Sequence, residues 1–277
     1  LGEGPIWSVA DQALYWVDIV APAIHRWHPA SGERRSWPMP EPVGSLSERK
    51  AGGLIVALAS GFAALDVGTG ALTLIRAAEA DLPDNRFNDG RCDRAGRFWA
   101  GSLTYSEDQP LGALWRLDPD HTARPVLTGI TVPNALCWSP DGRIMYFTDT
   151  STRQIMAYAY DLDTGTPSDP RLFVEVDDTP GYPDGAIVDS EGGVWNAEWD
   201  GARVVRYAPD GTIDRIVEVP APRPTCCAFG GPDLSTLFIT SAWDRLSESE
   251  RAEWPLSGNL FAVDAGVRGL PDPQYEG

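Results

Sequence analysis

Short β-type segments recur along the chain at intervals of roughly 40 to 50 residues, and this period limits the possible folds more than any other feature. They are Leu14–Asp18, Leu54–Leu58, Arg97–Gly101, Ile144–Asp149, Val194–Glu198 and Thr236–Thr240. Turn-forming stretches such as Asp93–Gly96, Ser139–Gly142 and Asp189–Gly192 precede them, as expected for a tight hairpin between two strands. A second set of turns follows, at His28–Gly32, Asp66–Gly70, Asp161–Gly165 and Ala208–Gly211. Units of four strands then fill the chain, and no helical period of useful length competes. The pattern predicts an all-β, six-bladed β-propeller with four antiparallel strands per blade, a single domain over residues 1–277. A pair of β-sandwiches would supply short strands but not this spacing.

In a propeller the first strand of each blade lies nearest the axis, so residues far apart in sequence converge on one channel. Stepping back about ten residues from each second strand gives Glu3, Gly44 or Ser45, Asn88, Asn134, Asp184 and Cys226, one per blade. Oxygen-bearing side chains sharing an axial channel repel one another or stay unsatisfied unless a cation or water organises them. A divalent metal is the economical answer, and a merely wet, polar channel is the other. Two carboxylates and an amide suit Ca²⁺, Mg²⁺ or Mn²⁺, whereas Zn²⁺ or Fe²⁺ would have to bind without His or Cys.

Composition narrows the partners. Lys plus Arg total 22 against 40 Asp plus Glu, a formal charge of −18, so nucleic acid and anionic membrane surfaces are poor partners. The most apolar run, Leu54–Leu65, is too short to span a bilayer. Leu1 leads directly into Gly2 and Glu3, so no secretory leader is expected, and a few residues are expected upstream. Cys92, Cys137, Cys226 and Cys227 show no C-x-x-C spacing and read as structural thiols of a reducing, cytoplasmic setting. The 11 Trp residues suit packed sheets or a ligand mouth equally well.

The motifs Leu1–Trp7, Asn85–Gly90, Pro133–Leu136, Tyr182–Gly185, Cys226–Gly231, Gly258–Ala262 and Gly266–Gly269 together resemble the regucalcin (senescence marker protein) and gluconolactonase family of six-bladed propellers. The resemblance covers nearly the whole chain. It implies that Glu3, Asn134 and Asp184 hold one divalent ion (Ca, Zn, Mn, Mg or Fe(II)) and that Arg86 and Asn88 bind a sugar lactone. A further acidic substrate contact of the family has two candidates here, Ser106 and Glu107. The implied reaction is metal-dependent hydrolysis of a gluconolactone-, xylonolactone- or arabinonolactone-like ester to the aldonate, with Asp184 as general base.

Other signals carry less. No G-x-S-x-G elbow is present, which removes a serine-esterase route. His25, His28 and His121 read as turn residues near outer hairpins. Asp161–Gly165 lacks the sixth-position glycine and twelfth-position Glu of an EF-hand loop and reads as a hairpin turn. Arg34–Arg35 and Glu248–Glu253 read as exposed charged faces. A phosphotriesterase-like propeller hydrolase and a non-catalytic, calcium-binding protein of the regucalcin type are the alternative functions.

Overall fold

Strands form where the sequence alternates or runs β-branched, and within each sheet a strand pairs antiparallel with the next. The computed structural model describes residues 1–177 and 180–277. Among these, 23 strands make six sheets, each ordered as its strands occur in the chain. The result is a six-bladed β-propeller. Five sheets have the expected four strands; blade 6 has three, Pro224–Gly230, Thr236–Ser241 and Phe261–Asp264.

The predicted repeat segments are the second strands, at Ala13–Asp18, Leu54–Leu58, Phe98–Thr104, Ile144–Asp149, Val194–Trp199 and Thr236–Ser241. The first strands are Gly2–Ser8, Val43–Glu48, Asn85–Cys92, Pro133–Trp138, Tyr182–Val188 and Pro224–Gly230. These lie against one another around the ring, blade 6 meeting blade 1. There Thr225 Oγ1 donates to the Gly2 carbonyl at 2.6 Å. First strands are buried almost throughout, whereas fourth strands such as Leu72–Ala77 and Ile213–Glu218 are mostly exposed. That gradient explains the sequence pattern: inner strands read as continuous apolar runs and outer ones as polar.

Apolar clusters fill the seams between successive blades. Ile6, Tyr15, Leu46 and Val56 join blades 1 and 2, while Trp7, Trp195, Phe229 and Phe238 join blades 5, 6 and 1. Trp7 stacks on Phe238 with ring centroids 5.6 Å apart. Most tryptophans thus serve packing; Trp199 lines the cavity described below. All four cysteines are free and buried.

Two features were not expected. Residues 242–260 leave blade 6 between its second and third strands and include a short helix, Glu248–Glu253, with a Ser247–Glu250 capping box. The run expected to be only a charged face is a helix because Ser247 and Glu250 satisfy its first amides. The last residues cross beneath blades 2 and 3, where Asp272 pairs with Arg91 at 2.6 Å and Tyr275 Oη donates to the Asp118 carbonyl at 2.8 Å. Among the described residues no helix is long and apolar enough to cross a membrane.

Candidate metal and substrate site

Every one of the positions reached by stepping back from the second strands falls on a first strand, next to a break in its pairing register. The register shifts between Glu3 and Ile6, Val43 and Ser45, Asn134 and Cys137, Pro183 and Ala186, and Pro224 and Cys227; in blade 3 the shift spans Asn88 and Asp89. A bulge adds residues on one strand and turns side chains away from the regular in-out alternation. Glu3, Asn88, Asn134 and Asp184 therefore leave the sheet faces and reach a common cavity. Backbone conformation supports this: Ala135 adopts φ 54°, left-handed for a residue with a side chain. Gly185 is required, since a Cβ there would lie 2.4 Å from Cys226 Sγ.

A cavity of about 220 Å³ brings together Glu3, Arg86, Asn88, Glu107, Asn134 and Asp184. Glu3, Asn134 and Asp184 are all at least 94 % buried by exposures of 6 %, 4 % and 5 %. Neither carboxylate has an ion-pair partner within 4 Å among the described residues. Glu3 Oε2 accepts only from its neighbour Gly4 N, at 2.9 Å. Burial, then the charge of Asp89, pushes the Glu3 carboxyl up to about 8. Asp184 is raised well above the ordinary carboxylate range by burial, then by Glu3 and Asp89. Asn196 Nδ2 holds the Asp184 carbonyl at 2.8 Å, fixing the backbone behind that carboxylate.

The amide and guanidinium groups are organised around this pair. Asn134 Nδ2 donates to Thr150 Oγ1 at 2.9 Å, and Thr150 donates to the Pro183 carbonyl at 2.8 Å, tying blade 4 to blade 5 beside Asp184. Asn134 Oδ1 accepts from Asn88 Nδ2 at 3.1 Å and keeps a second lone pair. Arg86 Nη1 donates to Asn88 Oδ1 at 2.9 Å, and its Nη2 meets Glu107 Oε1 at 3.1 Å. Of the two acidic-contact candidates, Glu107 lines the cavity; Ser106 instead bonds Asp108 Oδ1 at 2.5 Å.

The donor set fits a hard divalent ion: two desolvated carboxylates without a cation and an amide oxygen in one cavity. Among the described residues no three His, Cys, Asp or Glu side chains gather as a metal-binding group. Glu3 and Asp184 supply two carboxylates to this cavity, and its third oxygen is the amide of Asn134. His25, His28 and His121 all lie away from the cavity; His25 packs on Trp16 at 5.2 Å in blade 1. Asp161 caps its hairpin by accepting from the Asp163 and Thr164 amides.

Sequence reasoning missed Asp89, Thr150, Trp199, Asp244 and Arg245. Asp89 stood inside the Asn85–Gly90 motif; it is buried behind the cavity, accepts from the Leu136 amide at 3.0 Å and acts on Glu3 and Asp184 through its charge. Trp199 ends a second strand, and Thr150, Asp244 and Arg245 follow second strands in segments where no period operates.

Residues 1–243 match the protein family described as SMP-30/Gluconolactonase/LRE-like region, and the chain belongs to that family. It is 41 % identical over its whole length to a 6-deoxy-6-sulfogluconolactonase of Pseudomonas putida, covering 95 % of that protein. To regucalcin of Xenopus laevis it is 34 % identical, again over 100 % of this chain and 95 % of the relative. The crystal structure of a calcium-binding regucalcin from Agrobacterium tumefaciens superposes with a TM-score of 0.96 at 34 % identity, covering 99 % of this chain and 93 % of that one.

Proposed function

We propose that this protein is a divalent-metal-dependent sugar lactonase, opening the cyclic ester of a sugar acid to its aldonate. The observation that carries the reading is the meeting of two buried carboxylates without an ion-pair partner, Glu3 and Asp184, with Asn134, in the cavity lined by Arg86 and Asn88. Lactonase relatives support the reaction class. The neutral aldonolactones of five and six carbons are the proposed substrates. The name of the Pseudomonas relative extends the range to lactones with an anionic exocyclic group.

Glu3, Asn134 and Asp184 would hold the ion. When bound, it supplies a Lewis acid for the lactone carbonyl and countercharge for the developing oxyanion. Asp184 is the proposed general base. A carboxylate that holds the ion through one oxygen can present its second oxygen to an attacking water within hydrogen-bond reach. Water oxygen bonds to the carbonyl carbon, the ring C–O bond breaks, and the proton held by Asp184 passes to the departing alkoxide. Arg86 and Asn88 orient the ring through its hydroxyls; their mutual bond at 2.9 Å fixes both before substrate arrives. Glu107 holds Arg86 from the other side and is placed to accept from a ring hydroxyl. The buried free thiols fit a reducing, cytoplasmic setting.

The test is hydrolysis of a panel of gluconolactone, xylonolactone and arabinonolactone before and after chelation and metal add-back. Turnover should vanish on chelation and return with a divalent ion, and Asp184→Asn should cost roughly a thousandfold in kcat. If every lactone opened at the buffer rate whichever ion was supplied, the enzyme reading would fail. Ion retention without turnover would mark a binding protein.

A further inference from the structure

One cation at the cavity mouth has no part in the chemistry just described. Residues 242–260 are anchored at several points: Leu246 is buried, the Arg251 guanidinium lies 4.1 Å from the Trp243 ring, and Ser241 Oγ holds Gly258 N and the Asn259 carbonyl. Arg223 secures the Asp244 carbonyl at 2.5 Å. This framework delivers Arg245 to the cavity lining with its backbone at φ 60°. Arg245 reaches across from blade 6 to Glu107 of blade 3, Nη1 to Oε2 at 3.0 Å and Nη2 to Oε1 at 2.8 Å.

Glu107 thus carries two guanidiniums, Arg86 inside and Arg245 outside. The side chain of Arg86 is 8 % exposed and that of Arg245 56 %. Two acidic groups also line the mouth. Asp200 is neutralised by Arg223 at 2.6 Å, and Asp244 approaches Arg245 Nε only to 3.5 Å. The Arg245–Glu107 pair is bidentate, yet Glu107 is already paired by the buried Arg86, so its charge does not require Arg245. Both guanidiniums line the cavity, the inner one bonded to Asn88 and the outer one open to solvent; a ring held at Arg86 and Asn88 would turn its outer arm towards Arg245.

Resting on the lactonase reading, we infer that Arg245 is a specificity-determining residue that receives an anionic group on the exocyclic arm of the lactone. A guanidinium gives charge-assisted donors to the oxygens of a sulfonate, carboxylate or phosphate, and Arg245, with one N–H of each Nη on Glu107, keeps the second N–H of each. The substrate class this selects is a sugar lactone with a terminal anion, in preference to its neutral parent.

The experiment compares gluconolactone with the same lactone carrying a sulfonate in place of its terminal hydroxyl, using metal-loaded wild type, Arg245→Gln and Arg245→Lys. Calorimetric binding of the two corresponding open-chain acids runs alongside. The wild type should favour the sulfonated lactone, and Arg245→Gln should lower the sulfonated-to-neutral ratio of kcat/KM about ten- to hundredfold, mainly through KM. Arg245→Lys should restore part of the ratio, and added salt should erode the preference in wild type only. Equal losses for both lactones in Arg245→Gln would overturn the inference, because Arg245 would then act only by holding Glu107 and Arg86. So would a wild type that prefers the neutral lactone. If neither lactone is turned over, the lactonase reading fails. The binding arm then decides separately: sulfonated acid held tenfold tighter by wild type than by Arg245→Gln upholds the anion site, and equal affinity overturns it.

Discussion

Buried carboxylates occur in two settings in this ring, and the contrast lies in their partners rather than their depth. Asp93 and Asp189, at the inner hairpins of blades 3 and 5, are wholly buried. Asp189 accepts from the Glu191 and Gly193 amides at 2.9 Å, from Trp195 Nε1 at 2.8 Å and from Arg206 Nε at 2.7 Å. Asp93 is likewise held by Arg97 Nε at 2.6 Å, Trp99 Nε1 at 3.2 Å and Tyr160 Oη at 2.5 Å. Glu3 and Asp184 are almost as deep, yet they have neither cation nor side-chain donor among the described residues. A carboxylate that the fold satisfies is structural; one that the fold desolvates and leaves bare is kept for something that arrives later.

The largest effect that tests this contrast is on stability. Asp189→Ala would leave the Trp195 indole N–H, two hairpin amides and the Nε of Arg206 without their acceptor, although Arg206 keeps Asp214 and Glu191, and should cost about 3–5 kcal/mol in chemical denaturation. Asp184→Ala should leave the chelated protein as stable as wild type or more so, because it removes an uncompensated charge. Equal losses at the two positions would show that partners do not separate the two settings.

These settings were unequally legible in the sequence. The hairpin turns Asp93–Gly96 and Asp189–Gly192 were visible as turn chemistry, and the second strands they lead into were located to within three residues at either end. The repeat also led back to Glu3, Asn88, Asn134 and Asp184, because the offset between first and second strands is constant around the ring. Hidden were the bulges that aim those side chains inward, since a bulge depends on the partner strand's register. The excursion carrying Asp244 and Arg245 was hidden too, because a loop stepping outside the repeat carries no period. The three-stranded sixth blade has the same origin: residues 242–260 occupy chain that the spacing assigns to strands.

A smaller effect, on the bare side of the contrast, is that of the ion. At a hundred times its dissociation constant, a divalent cation should add about 2.7 kcal/mol to the stability of wild type, seen as a raised Tm that chelation reverses. Glu3→Gln combined with Asp184→Asn should abolish the shift, whereas Asp189→Asn should retain it on a lower baseline. A shift surviving in the Glu3, Asp184 double variant would put the ion at some other site.

The smallest effect is the pH dependence of the chelated protein, because other carboxylates titrate over part of the same range. Glu3 has an ordinary value of 4.5 when solvated and about 8 in the fold, raised first by burial and then by Asp89. Between those limits the folded chain binds more protons than the unfolded one, so the stability from this group is complete below about pH 4.5 and declines as pH rises towards 8. Asp184, shifted in the same direction, steepens the decline. The denaturation midpoint of the chelated wild type should therefore fall from pH 5 to pH 8, and Glu3→Gln should flatten that fall. With the ion present the sign reverses over the same interval, since binding needs both carboxylates ionised and releases their protons. A chelated midpoint that stays level or climbs across this window, with Glu3→Gln unchanged, would mean the Glu3 charge is already compensated within the fold, and the distinction between held and bare carboxylates would be lost.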